Sequence, residues 1–187
     1  MFISYSPRDY VDDNKQVIPG NIVSKIKDLF DANNISYWFD DACVFSGDLF
    51  APMIARNIKA SKIFLFISSE HSNASEWTSN EIATAHAYKK KIIPFRYDDS
   101  VYNDSVIIYI ARLDYIEYRV NPDKALPRLL ASIKSYLKEE NDRLEKERQE
   151  EERRRNAEIS RQERAVKLQN LRERIENLEN RVNMRRM

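Results

Sequence analysis

Residues 63–67 form an uninterrupted apolar run, Ile-Phe-Leu-Phe-Ile, which constrains the fold more than any other stretch of the chain. A strand with one face in water alternates apolar and polar side chains, and this run does not alternate. It therefore predicts a strand buried on both faces. Such strands are typical of parallel sheets that carry helices on both sides.

Further short apolar runs alternate along the chain with segments whose apolar residues recur at helical spacing. Strands are also predicted at 2–5, 35–39, 91–95 and, as a brief edge strand, 115–118. Helices are predicted at 19–32, 48–58, 76–88, 106–113 and from Pro122 onward, with a loop at 7–18. Because strands and helices alternate, the sequence predicts an α/β fold with a parallel sheet and helices on both faces.

The composition excludes several classes of protein. The single cysteine, Cys43, allows no internal disulfide, and its spacing from the two histidines supports neither a catalytic triad nor a structural zinc site. No apolar run reaches 18 residues, and the first residues lack the basic and long apolar regions of a signal peptide. A net charge of +1 gives no bias toward nucleic acid. We therefore expect a cytoplasmic protein without a membrane span.

The composition changes after Glu139, where most residues are charged, and no glycine or proline follows Pro127. The last predicted helix is therefore expected to continue through this region, supported by acid–base pairs four residues apart. We predict a domain at 1–137 and a charged helix at 138–187.

The end of this helix regains an apolar pattern over heptads at 164–185. Steps of three and four, typical of the a and d positions of a coiled coil, connect Leu168, Leu171, Ile175, Leu178 and Val182. β-Branched residues at a with leucine at d favour a parallel two-stranded coil. The alternative is a solvated helix that makes no such contact.

The polar turn after residues 63–67 leads into a helix that opens with Trp77 and Glu81. Their spacing of four residues places both side chains on one helical face, near the carboxyl end of the buried strand. Ligands of open α/β sheets bind at that end. Glu81 is therefore the leading candidate for chemistry, and a solvated or capping glutamate is the alternative.

Five motifs, in this order, resemble those of Toll/interleukin-1 receptor (TIR) domains over residues 1–137. They are Phe2-Ile3-Ser4-Tyr5-Ser6; Phe39-Asp40-Asp41 with Ser46-Gly47; Ile54, Ile58 and Ser61; Phe66-Ile67-Ser68 with Ser75, Trp77 and Glu81; and Ile92-Ile93-Pro94. The resemblance implies a flavodoxin-like sheet of five parallel strands. It also implies that Glu81 occupies the position of the family's catalytic glutamate.

Many TIR domains, bacterial ones especially, cleave the nicotinamide–ribose bond of NAD⁺, so the resemblance implies NAD⁺ as a substrate and no cofactor. It further implies activation by self-assembly, with NAD⁺ loss or an ADP-ribose signal serving antiphage or cell-death defence. The sequence has no Gly-x-Gly-x-x-Gly motif and is not a Rossmann dehydrogenase. The alternative function is a non-catalytic scaffold or adaptor that binds other TIR proteins and partners of the coil.

Cleavage of this bond passes through an oxocarbenium-like state with a neutral leaving group, so a carboxylate close to the ribose is the group that helps most. Glu81 is the candidate for that role. Six candidate substrate-binding residues, each with an ordinary structural alternative, accompany it: Trp77, Phe45, Asp40, Ser6, Arg8 and Gly47.

Each of these six residues is proposed for a specific reason. Trp77 can line the site or pack between helix and sheet, and Phe45 can stack on an aromatic ring of the ligand. Asp40 can bind a sugar hydroxyl or cap a helix. Gly47 serves backbone geometry in its loop. Ser6 stands where some animal TIR domains carry arginine, and Arg8 is the nearby basic residue that can take its place.

Overall fold

A sheet of five parallel strands forms the centre of the first part of the chain. The computed structural model describes residues 1–39 and 50–184. The strands are β1 (Phe2–Ser4), β2 (Trp38–Phe39), β3 (Ile63–Ser68), β4 (Lys91–Arg96) and β5 (Ile116–Glu117). Their order in the sheet is β2-β1-β3-β4-β5, and every neighbouring pair is parallel. This is the flavodoxin-like order, which confirms the fold class expected from the sequence.

In these two ranges, six helices accompany the strands, together with a 3-10 turn at Pro7–Asp9. They are α1 (Ile22–Ala32), α2 (Phe50–Ala60), α3 (Glu70–Asn73), α4 (Glu76–Ala87), α5 (Asp104–Ile110) and α6 (Pro122–Met184). Side-chain caps fix where several of them begin: Asn21, Ser75 and Asn103 accept the backbone N–H groups of Ser24, Thr78 and Val106. A residue with a short polar side chain in extended backbone is suited to this role.

The chain divides into two compact units, Met1–Lys134 and Ser135–Met187. In the first unit all six residues of β3 are buried. A core of buried side chains joins Phe2, Phe64 and Phe66 of the sheet to Ile82 and Ala85 of α4. Because side chains alternate along a strand, Ile3, Leu65 and Ile67 belong to the opposite face. Other buried apolar side chains on the helices of this unit come from α1, α2, α5 and the start of α6: Ile22, Val23, Ile26, Phe30, Ile54, Ile58, Val106, Ile110, Ala125, Leu129 and Ile133.

The second unit consists of a charged helix in which ion pairs connect successive turns. Arg143 lies 2.7 Å from Glu140, and Arg148 lies 2.9 Å from Glu145. The a and d positions of the predicted coiled coil form an apolar seam along this helix. Its residues Leu168, Leu171 and Ile175 are 59%, 46% and 56% exposed. Among the residues that the structure describes, no helix combines the length and apolar character needed to span a membrane.

The structure differs from the prediction at several places. The first helix begins at Ile22 rather than Pro19, because Asn21 provides the cap. β2 has two residues rather than five, since it is an edge strand that pairs with β1 alone. The segment predicted as loop contains the 3-10 turn Pro7–Asp9, and α3 was not predicted, because four residues are too few to show a periodic pattern.

Candidate functional site

The carboxyl ends of β1 and β3 mark the point where the connections of the sheet diverge. From β1 the chain crosses to β2 on one side, and from β3 it crosses to β4 on the other. In sheets of this order, the crevice opened by that divergence is where ligands bind. Here the strands end in hydroxyl side chains: Ser4 closes β1, and Ser68 closes β3 and is followed by Ser69.

Glu81 lies in α4 and is buried at this edge, with 5% of its surface exposed. The Ser4 hydroxyl donates a hydrogen bond to Glu81 Oε2 at 2.5 Å, joining residues that are 77 positions apart in sequence. Ser4 itself is 1% exposed. Glu81 is therefore held against the carboxyl end of β1 and is not a solvated surface glutamate.

The start of α4 is fixed by a network of buried and half-buried polar side chains. The Asn73 amide donates to Ser100 Oγ at 2.6 Å, and the Asn103 amide donates to the Asn73 carbonyl at 2.6 Å and to Ser79 Oγ at 3.4 Å. Ser68 Oγ lies 3.2 Å from Asn73 Oδ1. These contacts tie the end of β3 and the segment after β4 to α4, and so they set the position of Glu81.

The predicted substrate-binding residues fall into three groups. Trp77 lies one turn before Glu81 and is 41% exposed, so it stands where the face that carries Glu81 reaches the surface. Ser6 is buried two residues after β1 ends, and Arg8 is exposed in the 3-10 turn. Asp40, Phe45 and Gly47, like Cys43, lie outside the described residues. The structure thus places Ser6 and Glu81 at the same strand end and leaves the roles of all six as predictions.

Sequence reasoning missed Ser4, Asp9 and Ser69 as residues of this edge. Ser69 caps α3 and donates its hydroxyl to Asp9 Oδ2 at 2.5 Å. Ser4 belongs to a motif quoted above and Ser69 directly follows one, which could have drawn attention to both, whereas no local pattern marks Asp9. Burial raises the pKa of the Asp9 carboxyl, and the hydrogen bond from Ser69 and the charge of His71 act against that rise.

We expect Asp9→Asn to stabilise the protein increasingly as the pH rises. Because the pKa of Asp9 is raised in the folded state, its contribution to stability is present below about pH 4 and is lost as the pH rises through the raised value. Asparagine keeps an acceptor for Ser69 without the buried charge. The melting temperatures of the variant and the wild type are measured by thermal unfolding from pH 4 to 8. The difference between them, variant minus wild type, should increase by a few degrees over this range.

The matched control for this experiment is Asp13→Asn, which removes an exposed carboxylate from the same segment. Its melting temperature should follow that of the wild type at each pH. If the difference in melting temperature between Asp9→Asn and the wild type stays constant with pH, burial does not raise the pKa of Asp9.

The described part of the site offers a carboxylate and hydroxyl groups. In the described ranges, 1–39 and 50–184, no three His, Cys, Asp or Glu side chains are grouped so that they could hold a metal ion. A buried carboxylate with one oxygen fixed by a hydroxyl can stabilise positive charge or bind sugar hydroxyls. The arrangement therefore suits chemistry in which positive charge develops on a ligand.

Comparisons with known proteins agree with this fold. The family profile of the TIR domain matches residues 1–130. The TIR domain of the Toll-related receptor TRR-2 from Hydra magnipapillata is similar, with a TM-score of 0.53 and 17% identity over 71% of this chain and 96% of that one. The TIR domains of the activated Roq1 resistosome, which directly recognises the pathogen effector XopQ, give a TM-score of 0.51 and 13% identity over 71% and 97%.

No curated protein sequence matches the chain. At these identities the solved structures support the fold alone, and the assignment rests on the family profile, which spans more than half of the residues. The chain belongs to the TIR domain family.

Proposed function

We propose that this chain is an NAD⁺ nucleosidase, a glycohydrolase or ADP-ribosyl cyclase that cleaves the bond between nicotinamide and ribose. The observation that carries the proposal is the buried Glu81 carboxylate, held by the Ser4 hydroxyl at the carboxyl edge of the sheet. Family membership adds support, because the TIR family includes both enzymes of this kind and scaffolds.

The reaction needs little more than a placed carboxylate. The C1′–N bond breaks, and its electron pair leaves with neutral nicotinamide, so no strong general acid is required. Positive charge develops on the ribose, and the Glu81 carboxylate stabilises it in surroundings where charges interact more strongly than in water. Water then adds at C1′ and releases a proton, which gives ADP-ribose; attack by a group of the ADP-ribose itself gives a cyclic product.

Self-association completes the proposal. TIR domains self-associate, and in this chain the exposed Leu168, Leu171 and Ile175 offer a second means of assembly, through a coiled coil between copies. The coil raises the effective concentration of the TIR domains. The activated Roq1 resistosome recognises a pathogen effector, and by analogy with it we propose a role in defence. Bacterial antiphage or cell-death defence in the cytoplasm is the form of that role which the sequence resemblance implies.

A scaffold or adaptor is the second candidate function. The exposed apolar seam on the second unit favours it, because a protein that acts only by assembly needs such a surface and no catalytic carboxylate. In that case the partners are other TIR proteins or chains with a matching coil. The two functions differ in one measurable respect, since only the enzyme releases nicotinamide.

The deciding experiment incubates the purified full chain with NAD⁺, separates the products by chromatography and identifies them by mass spectrometry. We expect nicotinamide together with ADP-ribose or a cyclic derivative. Glu81→Gln should release much less nicotinamide. Glu76→Gln is its matched control, because Glu76 is an exposed glutamate of α4, the helix that carries Glu81, and this variant should react like the wild type. If no nicotinamide appears across a series of protein concentrations, the scaffold function stands instead.

A further inference from the structure

We propose that Ser4 is a positioning residue for Glu81, an inference that rests on the function proposed above. The Ser4 hydroxyl donates to Glu81 Oε2 at 2.5 Å in a buried setting. Its role is to fix the orientation of the carboxylate. Ser4 does not itself contact the substrate.

The sheet explains why Ser4 reaches Glu81. β1 pairs with β3 so that Phe2 lies opposite Phe64 and Ser4 lies opposite Phe66. Phe2 packs in the core that contains Ile82 of α4, and the period of two along a strand places Ser4 on that same face. The last residue of β1 therefore stands beneath α4, next to the turn that carries Glu81.

Glutamate is an uncommon residue at a buried position, because burying a carboxylate carries a large desolvation cost, and Glu81 is 5% exposed. Ionisable groups in such surroundings are commonly those that function requires, and their orientation is then held by the surrounding structure.

The support behind Ser4 is rigid. β1 is hydrogen-bonded on both sides, to β2 and to β3, and Ser4 is 1% exposed. A carboxylate anchored to such a strand does not need to reorient as positive charge develops on the ribose. Electrostatic stabilisation is most effective when the charged group is already in place.

The test compares three substitutions at position 4 in nicotinamide release from NAD⁺. Ser4→Ala removes the donor and should lower kcat by about 10- to 100-fold, as loss of an orienting partner commonly does, while KM changes less than about threefold. Ser4→Cys keeps the size with a weak donor and should behave like Ser4→Ala. Ser4→Thr keeps the hydroxyl and should restore most of kcat, with thermal unfolding used to check that its added methyl group is tolerated.

Two further variants separate positioning from a structural role. Thr84→Ala removes a hydroxyl from the same helix that donates to the Asn80 carbonyl at 2.7 Å rather than to Glu81, and kcat should stay within about twofold of the wild type. In a double-mutant cycle, Ser4→Ala should cost nothing further in the Glu81→Gln background, because the two residues act as one unit.

The outcomes distinguish the two proposals. If the wild type releases nicotinamide and Ser4→Ala has the same kcat, the role of Ser4 is wrong and the enzymatic function stands. A fall in kcat that adds fully to that of Glu81→Gln would also overturn it. If the wild type releases no nicotinamide, the enzymatic function fails, and the positioning role fails with it.

Discussion

Glu81→Gln is expected to lower nicotinamide release by about 10²–10³-fold, the loss typical of removing one group that stabilises charge in a transition state. Glutamine has nearly the same shape and still accepts a hydrogen bond from Ser4, so the packing of α4 is preserved. What it lacks is the negative charge that stabilises an oxocarbenium-like ribose. The loss should appear in kcat as well as in kcat/KM.

The same substitution should leave stability unchanged or raise it. Glu81 is 5% exposed, and a neutral amide in its place removes the desolvation cost of a buried carboxylate. We expect the free energy of unfolding in urea to rise by up to about 1 kcal/mol, while Glu76→Gln changes neither quantity appreciably. Loss of activity without loss of stability marks a residue retained for function.

Two results would contradict this account. If Glu81→Gln cleaves NAD⁺ as fast as the wild type, the carboxylate has no catalytic role. If the variant instead unfolds at markedly lower urea concentration, the carboxylate is a structural group whose charge the fold requires. Measuring both quantities on the same preparation keeps the two explanations apart.

The elements that could be predicted from the sequence are those with strong local patterns. The non-alternating run in β3 predicted its burial on both faces, and all six residues are buried. The absence of helix-breaking residues after Pro127 predicted the long helix, which extends to Met184. In both cases the information lies within a few turns or one strand, where periodicity and propensity operate.

The contacts that define the site could not be predicted in this way. The bond between Ser4 and Glu81 depends on the register of β1 against β3 and on how α4 packs over the sheet. The bond between Asp9 and Ser69 likewise joins residues 60 positions apart. The sequence around either residue of such a pair does not indicate its partner, because the pairing is set by the assembled sheet. The roles of Asp40, Phe45 and Gly47 stay predictions, since these residues lie outside the described ranges.

Polar side chains are concentrated at one end of an otherwise apolar core. Ser4, Ser68, Ser69 and Glu81 are all at most 5% exposed, and all lie in α4 or at or beside the carboxyl ends of β1 and β3. Burial of so many polar groups opposes stability unless each is hydrogen-bonded. These side chains are grouped where the connections from β1 and β3 diverge and are not spread through the core. This grouping is the strongest structural reason to propose the functional site there.

The second large effect is expected from the seam of the C-terminal helix. Leu171→Asp with Ile175→Asp should raise the dissociation constant for self-association at least about 10²-fold, because each coil then buries charges without partners. Both side chains are exposed in a single copy, at 46% and 56%, so neither substitution removes a core contact of the monomer. Sedimentation velocity across a concentration series measures the change.

Gln169→Asp with Asn170→Asp is the matched control. It adds the same two negative charges to the same helix at positions outside the a/d seam, and it should self-associate like the wild type. Any loss of helicity caused by aspartate itself will be similar in the two variants, since each replaces one strong helix former, Leu171 or Gln169, and one residue whose propensity is close to that of aspartate, Ile175 or Asn170. A difference between the two variants therefore reports the seam.

Specific activity should depend on assembly through the coil only in dilute solution. If the coil acts by raising the effective concentration of TIR domains, the seam variant should lose specific activity at low protein concentration and recover it at high concentration. The control variant should keep the wild-type dilution curve. If both variants sediment and react like the wild type at every concentration, the coil does not hold the copies together. Self-association then rests on other surfaces, which include the exposed Ile107 and Ile108 on α5 in Met1–Lys134.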